Sequence, residues 1–85
     1  MSPNALIQHQ KIREIRDQRE LLVTSLRERT RLAYLRFRGG VDTMLNALNS
    51  DQDLFVAELN LAQSRRDELL SLVQLYTALG GSWQE

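Results

Sequence analysis

The residues that could carry chemistry in this 85-residue chain are few and lie apart in the sequence. The single histidine, His9, has no carboxylate or second imidazole at a ligand spacing, so no metal site is predicted. Asp51 and Asp53 are two residues apart, which places them on different faces of a helix and argues against a catalytic carboxylate pair. Gly39 and Gly40 are not followed by the Lys-Ser/Thr of a phosphate-binding loop. We therefore expect no enzyme and no bound cofactor or metal.

The composition is that of a small folded domain. It contains 42% hydrophobic and 26% charged residues, and no stretch approaches the ~18 consecutive apolar residues of a membrane-spanning helix. The absence of cysteine excludes disulfides and thiolate chemistry. Residues 1–4 lack a charged region followed by an apolar run, so we expect no export signal in this chain. A chain this short needs very regular helix packing or partners to be stable.

A net charge of zero conceals two halves of opposite sign. Residues 1–40 carry nine basic side chains against four acidic ones, whereas residues 41–85 carry two against seven. The basic half could bind nucleic acid or a lipid surface. Its arginines alternate with acids through residues 13–31, however, which favours two halves that fold against each other or against neighbouring subunits.

The positions of proline and glycine predict an all-α antiparallel hairpin of two long, coiled-coil-like helices. The only proline is Pro3, and the glycines come in two pairs, at residues 39–40 and 80–81. A glycine pair ends a helix because glycine adopts the left-handed conformation without steric cost. The segments between them are rich in good helix formers. We expect a helix at about residues 5–38, a turn at 39–42, a helix at about 43–79 and a tail at 80–85.

Heptad patterns predict how these helices make contact. In the second helix, apolar residues recur at alternating spacings of three and four. This predicted contact face consists of Leu45, Leu48, Gln52, Phe55, Leu59, Ala62, Arg66, Leu69, Val73 and Tyr76. The corresponding face of the first helix consists of Ile12, Ile15, Arg19, Leu22, Leu26, Arg29, Ala33 and Phe37. A second apolar stripe on each helix predicts more than one neighbour, and hence self-association of the chain into a helical bundle, most simply a dimer of hairpins.

The predicted turn contains its own helix caps. Asp42 or Thr43 can accept a hydrogen bond from the first amides of the second helix. Arg36 and Arg38 lie at the end of the first helix, where cations suit the helix dipole.

Two stretches resemble a known family. They are LAYLRFRGGVDTMLNALNSDQDLFVAEL at residues 32–59 and LVQLYTALGGSWQ at residues 72–84. Both are similar to the C-terminal helical hairpin of the TolC-like outer-membrane efflux proteins, whose first helix ends in Arg-Tyr-x-x-Gly-Val and whose second ends in Leu-Tyr-x-Ala-Leu-Gly-Gly-Gly-Trp. Phe37 replaces the tyrosine and Ser82 replaces the third glycine. Asn46, Asn49 and Ser50 stand where a pattern with aspartate is common.

The resemblance implies that the chain is one hairpin of a periplasmic tunnel, which in the intact family is a trimer anchored in the outer membrane by β-strands. It implies no catalysis, no cofactor and no nucleic acid. The turn would contact the periplasmic adaptor protein and help to form the tunnel entrance, and the second glycine pair would mark an equatorial junction. The implied tip residues are Arg36, Phe37, Arg38, Gly39, Gly40, Val41 and Asp42, and the implied junction residues are Gly80, Gly81 and Trp83.

A different class of function remains open from the residues alone. The arginine-rich first helix could belong to a free-standing interaction module that binds acidic partners or nucleic acid. Such binding would fall steeply with salt. The acids interspersed among the arginines, and the lack of stacking aromatic residues there, favour the tunnel instead.

Overall fold

The computed structural model describes residues 3–80, which form two helices joined by a short turn. Helix α1 spans Pro3–Arg38 and helix α2 spans Met44–Gly80. They run antiparallel in a rod of 69 × 15 × 12 Å. The predicted all-α hairpin is therefore confirmed. Gly80, which was expected in the tail, is helical, and the rest of the predicted tail lies outside the described residues.

The face of α2 that packs on α1 is not the leucine-rich face that the heptad pattern predicts. The leucine-rich positions are exposed on α2. The buried or half-buried positions, again at spacings of three and four, are Ala47, Ser50, Leu54, Ala57, Leu61, Ser64, Glu68, Ser71 and Leu75. Five of these nine side chains are alanine or serine, so α1 approaches α2 over small residues.

The prediction for α1 is right at one position of each heptad and wrong by one residue at the other. The buried or half-buried positions at spacings of three and four are Ala5, His9, Ile12, Arg16, Arg19, Val23, Leu26, Thr30, Ala33 and Phe37. Ile15, Leu22 and Arg29, which were expected on this face, are exposed. The apolar residues of α1 thus also extend beyond the contact with α2.

The dry part of the interface lies in the half of the hairpin nearer the turn. Its core consists of Val23 and Leu26 from α1 packed with Ala57 and Leu61 from α2. Burial of a side chain the size of leucine contributes about 1.5–3 kcal/mol. Closer to the turn, Thr30 Oγ1 donates a hydrogen bond to the Ser50 carbonyl at 3.2 Å, so its buried hydroxyl is satisfied.

The half of the interface away from the turn is polar. Arg19 Nη1 donates to Ser64 Oγ at 2.6 Å and to the Asn60 carbonyl at 3.1 Å. One turn closer to the N-terminus of α1, Arg16 Nε lies 2.9 Å from Glu68 Oε1. Polar pairs within a helical interface fix which residues face each other, because any shift leaves a buried polar group unpaired. These contacts therefore hold the register of the two helices.

Candidate functional site

The turn ends α1 in a Schellman motif. The Val41 amide donates to the Arg36 carbonyl at 2.9 Å, and the Gly40 amide donates to the Phe37 carbonyl at 3.0 Å. Gly40 has φ +75°, a left-handed conformation that costs an L-residue roughly 1–2 kcal/mol. The sequence Gly39-Gly40 therefore reverses the chain because the second glycine can adopt this conformation.

Thr43 caps the start of α2, and Asp42 stabilises the turn before it by hydrogen bonds. Thr43 Oγ1 accepts a hydrogen bond from the Asn46 amide at 3.1 Å. The Asp42 carboxylate accepts from the Thr43 amide at 2.7 Å, from Asn46 Nδ2 at 2.7 Å and from Arg36 Nε at 3.3 Å. The backbone donor at Thr43, then Asn46 and Arg36, hold the pKa of Asp42 below its usual range. Asp42 and Arg36, both predicted as tip residues, thus hold the turn closed.

Other predicted tip residues are turned outward. Val41 is 78% exposed, and Arg38 is exposed and makes no ion pair with the residues that the structure describes. Phe37 is half-buried at the end of the contact face of α1. Met44 and Leu45, which follow the turn, are exposed. The tip thus presents a cation, Arg38, beside apolar side chains that are largely exposed.

The leucine-rich face of α2 forms a continuous surface, which we call the α2 outer stripe. Its apolar members are between 46% and 77% exposed. They are Leu45, Leu48, Phe55, Leu59, Leu69, Val73 and Tyr76. Counting about 103° per residue in a heptad repeat, the stripe lies roughly 150° around α2 from the face that contacts α1. Helix α2 therefore has its contact with α1 on one side and an exposed apolar stripe on the nearly opposite side. Sequence reasoning found the stripe but assigned it to the wrong neighbour, and the row of alanine and serine was the signal that could have corrected it.

One flank between the helices carries cross-helix polar pairs at seven-residue intervals. The Tyr34 hydroxyl donates to the Asp51 carboxylate, and this hydrogen bond raises the pKa of Tyr34. Arg27 Nη2 lies 3.3 Å from Glu58 Oε2. A hydrogen bond from the guanidinium of Arg16, aided by the charge of Arg65, holds the pKa of Glu20 below its usual range. This flank is charged, and its side chains are exposed or half-buried.

Most arginines of α1 are paired within the hairpin. Arg13, Arg16, Arg27, Arg31 and Arg36 each lie within 4.0 Å of a carboxylate oxygen. The positive charge of this helix is thus largely balanced by acids of the same chain.

The residues considered for chemistry do not converge. His9 Nδ1 lies 2.7 Å from Ser71 Oγ in the interface between the helices. Within residues 3–80, no group of three or more metal-ligating side chains comes together. Gly80 is the last residue of α2, whereas Gly81 and Trp83 lie outside the described residues. No helix in the described part of the chain combines the length and hydropathy needed to cross a bilayer.

Comparison with curated proteins gives outer membrane proteins of efflux and export systems as relatives. Over 72 residues, 85% of the chain, it is 40% identical to the toluene efflux pump outer membrane protein TtgC of Pseudomonas putida. The same identity and coverage hold for the antibiotic efflux pump outer membrane protein ArpC of Pseudomonas putida. Over 53 residues, 62% of the chain, it is 40% identical to the pyoverdine export outer membrane protein OpmQ of that species.

The matches cover little of these relatives. The chain spans 15% of the length of the first two proteins and 11% of the third. No protein-family model matches the chain, and no solved structure matches it.

Proposed function

This chain is homologous to a segment of the TolC-like outer-membrane efflux proteins, and we propose that its hairpin forms part of the periplasmic α-helical tunnel wall of such a channel. The family resemblance predicted from the two sequence motifs is confirmed by the relatives. The role is structural: the hairpin encloses a path for exported molecules and catalyses nothing.

The observation that carries the proposal is that α2 contacts α1 through one face and exposes the apolar α2 outer stripe on the nearly opposite side. A helix in a closed four-helix bundle presents one broad apolar face toward a common core. A helix in a wall has a neighbour on each side and water on the other two surfaces. Helix α2 meets α1 through Ala47, Ala57 and Leu61, and presents the α2 outer stripe on the far side. In the intact protein, a neighbouring helix of the tunnel would cover that stripe, consistent with assembly into a trimer.

The turn supports a second part of the proposal, that the tip contacts the periplasmic adaptor protein and borders the entrance. Arg36 and Asp42 fix the shape of the turn through their mutual hydrogen bond. Arg38 and Val41 are the outward side chains available to a partner. The opposite end of the hairpin, at Gly80, would lead to the equatorial region through Gly81 and Trp83.

A chimera tests the tunnel assignment. The matched 72-residue segment of the toluene efflux protein TtgC would be replaced by the corresponding residues of this chain, in cells lacking the native channel. We expect the chimera to reach the outer membrane and to restore toluene tolerance. A chimera present in the outer membrane at native amounts that gives no tolerance would contradict the proposal.

The same chimera tests the tip. The double substitution Arg38→Glu, Val41→Asp places acids on the outward side of the turn, and we expect loss of adaptor co-purification and of tolerance. Arg29→Glu is the matched control, because Arg29 is an exposed arginine of the same helix away from the turn. Full tolerance in the double variant would refute adaptor contact at these residues.

A further inference from the structure

We infer that the α2 outer stripe is self-complementary, and that two copies of this 85-residue chain pair through it as antiparallel helices related by a two-fold axis. The inference concerns the isolated chain and does not depend on the tunnel proposal. A symmetric pair requires that each residue i meets j while j meets i.

Most apolar positions meet another apolar position in this way, apart from Phe55 and from Leu69, which meets Gln52 of the second copy. In an antiparallel pair centred between residues 59 and 62, Leu45 meets Tyr76 of the second copy and Leu48 meets Val73. Leu59 meets Ala62 on either side of the axis. Every one of these positions is exposed in the single hairpin, so none has to leave the contact with α1.

The charged residues beside the stripe also meet suitable partners in a symmetric pair. In the same register, Arg66 meets the ring of Phe55 in the second copy, a cation–π contact. Glu58 and Arg65 lie on one edge of the stripe, on opposite sides of the axis and roughly 2.5 and 4.5 residues from it. Arg65 of the second copy therefore lies about two residues, or about 3 Å along the helix, from Glu58, and the two-fold axis gives two identical ion pairs. Glu58 keeps its contact with Arg27 at 3.3 Å, because a carboxylate accepts from more than one cation.

The extent of the stripe suits a stable pair. At the exposures seen, leucine- to tyrosine-sized side chains offer roughly 100 Å² or more each, so that the seven apolar members together offer on the order of 800 Å². A standard interface buries about 800 Å² per partner. Because the stripe lies opposite the contact with α1, the dimer is a flat row of four helices and not a closed bundle.

Sedimentation equilibrium of the full chain tests the pairing. We expect a dimer of twice 9.8 kDa. Glu58→Arg sets like charges against each other at both ion pairs and should raise the dissociation constant about tenfold. Arg65→Glu should do the same, and the double reversal Glu58→Arg, Arg65→Glu should restore the wild-type value. The matched control is Glu28→Arg, an exposed glutamate of α1 that pairs with Arg31 away from the stripe.

Disulfide trapping tests the orientation, since the chain has no cysteine of its own. Leu45→Cys and Tyr76→Cys chains would be mixed and oxidised. The antiparallel pair predicts cross-links between the two variants and few within either one. Helicity measured by circular dichroism would establish that each variant is folded. A monomeric wild-type chain, a double reversal that stays weak, or cross-links that form within the Leu45→Cys variant would each overturn the inference.

Discussion

Truncation of Leu61 tests the assignment of the small-residue face to the contact between α1 and α2. Leu61 is 6% exposed and belongs to the core of the hairpin. Leu61→Ala removes buried methyl groups and leaves a cavity, which in protein interiors costs about 2–5 kcal/mol. The interface of two helices is narrow and its edges are open to water, so we expect the lower part of that range, about 2–3 kcal/mol.

That loss is large for a chain of this size. At about 0.05–0.15 kcal/mol per residue, the free energy of unfolding of 85 residues is roughly 4–13 kcal/mol. A loss of 2–3 kcal/mol corresponds to a fall in Tm of roughly 10–20 °C for a domain of this length. Urea unfolding followed by far-UV circular dichroism, at one protein concentration for all variants, measures it directly.

The control is Leu21→Ala. Leu21 lies on α1, is 63% exposed and belongs neither to the helix contact nor to the α2 outer stripe. Its truncation should change the free energy of unfolding by less than about 0.5 kcal/mol. The reasoning is refuted if Leu61→Ala costs less than 0.5 kcal/mol, or if Leu21→Ala costs as much as Leu61→Ala.

Two further predictions concern the turn. Gly40→Ala should destabilise the hairpin by about 1–2 kcal/mol, because Gly40 has φ +75°. The control Gly80→Ala, at a helical glycine with φ below zero, should not destabilise it. Equal urea midpoints for the two variants would contradict this prediction. The pKa of Asp42 is lowered in the folded state, so its contribution to stability is present above the ordinary aspartate pKa of about 3.9 and is lost as pH falls through the lower folded value. The free energy of unfolding of the wild-type chain should therefore exceed that of Asp42→Asn at pH 7, and the difference should shrink as the pH falls below about 4. A difference of the same size at pH 2 would argue against this role of the carboxylate.

The fold could be predicted from the sequence because its signals are local. The glycine pair at residues 39–40 stops one helix, and Thr43 begins the next. Long stretches of helix formers without an internal proline fill the segments between them. A turn of a few residues between such helices leaves little choice except an antiparallel hairpin.

The contact face could not be predicted in the same way. A search for periodic apolar residues weights leucine and phenylalanine above alanine and serine, so it selected Leu59 and Phe55 over Ala57 and Ser64. Small residues allow two helix backbones to approach closely, and the gain then comes from many backbone and side-chain contacts and not from one large apolar group. The tip shows a related limit: nothing in the residue types indicated that Arg36 would pair with Asp42 while Arg38 remained exposed.

On α2, the side chains that stabilise the hairpin itself differ from those that are available to bind a neighbouring helix. Leu59 and Leu61 are two residues apart, yet Leu61 is buried against α1 and Leu59 is half exposed on the α2 outer stripe. Truncating Leu61 should lower the stability of the hairpin itself, whereas truncating Leu59 should leave the hairpin folded and weaken its contact with a neighbour. A chain that needed only to fold alone would place its largest apolar groups on the shared face, where burial stabilises most. On α2 this chain places mostly alanine and serine there and leaves most leucines, Phe55 and Tyr76 outside, which is the arrangement expected of a hairpin whose principal contacts are with other helices.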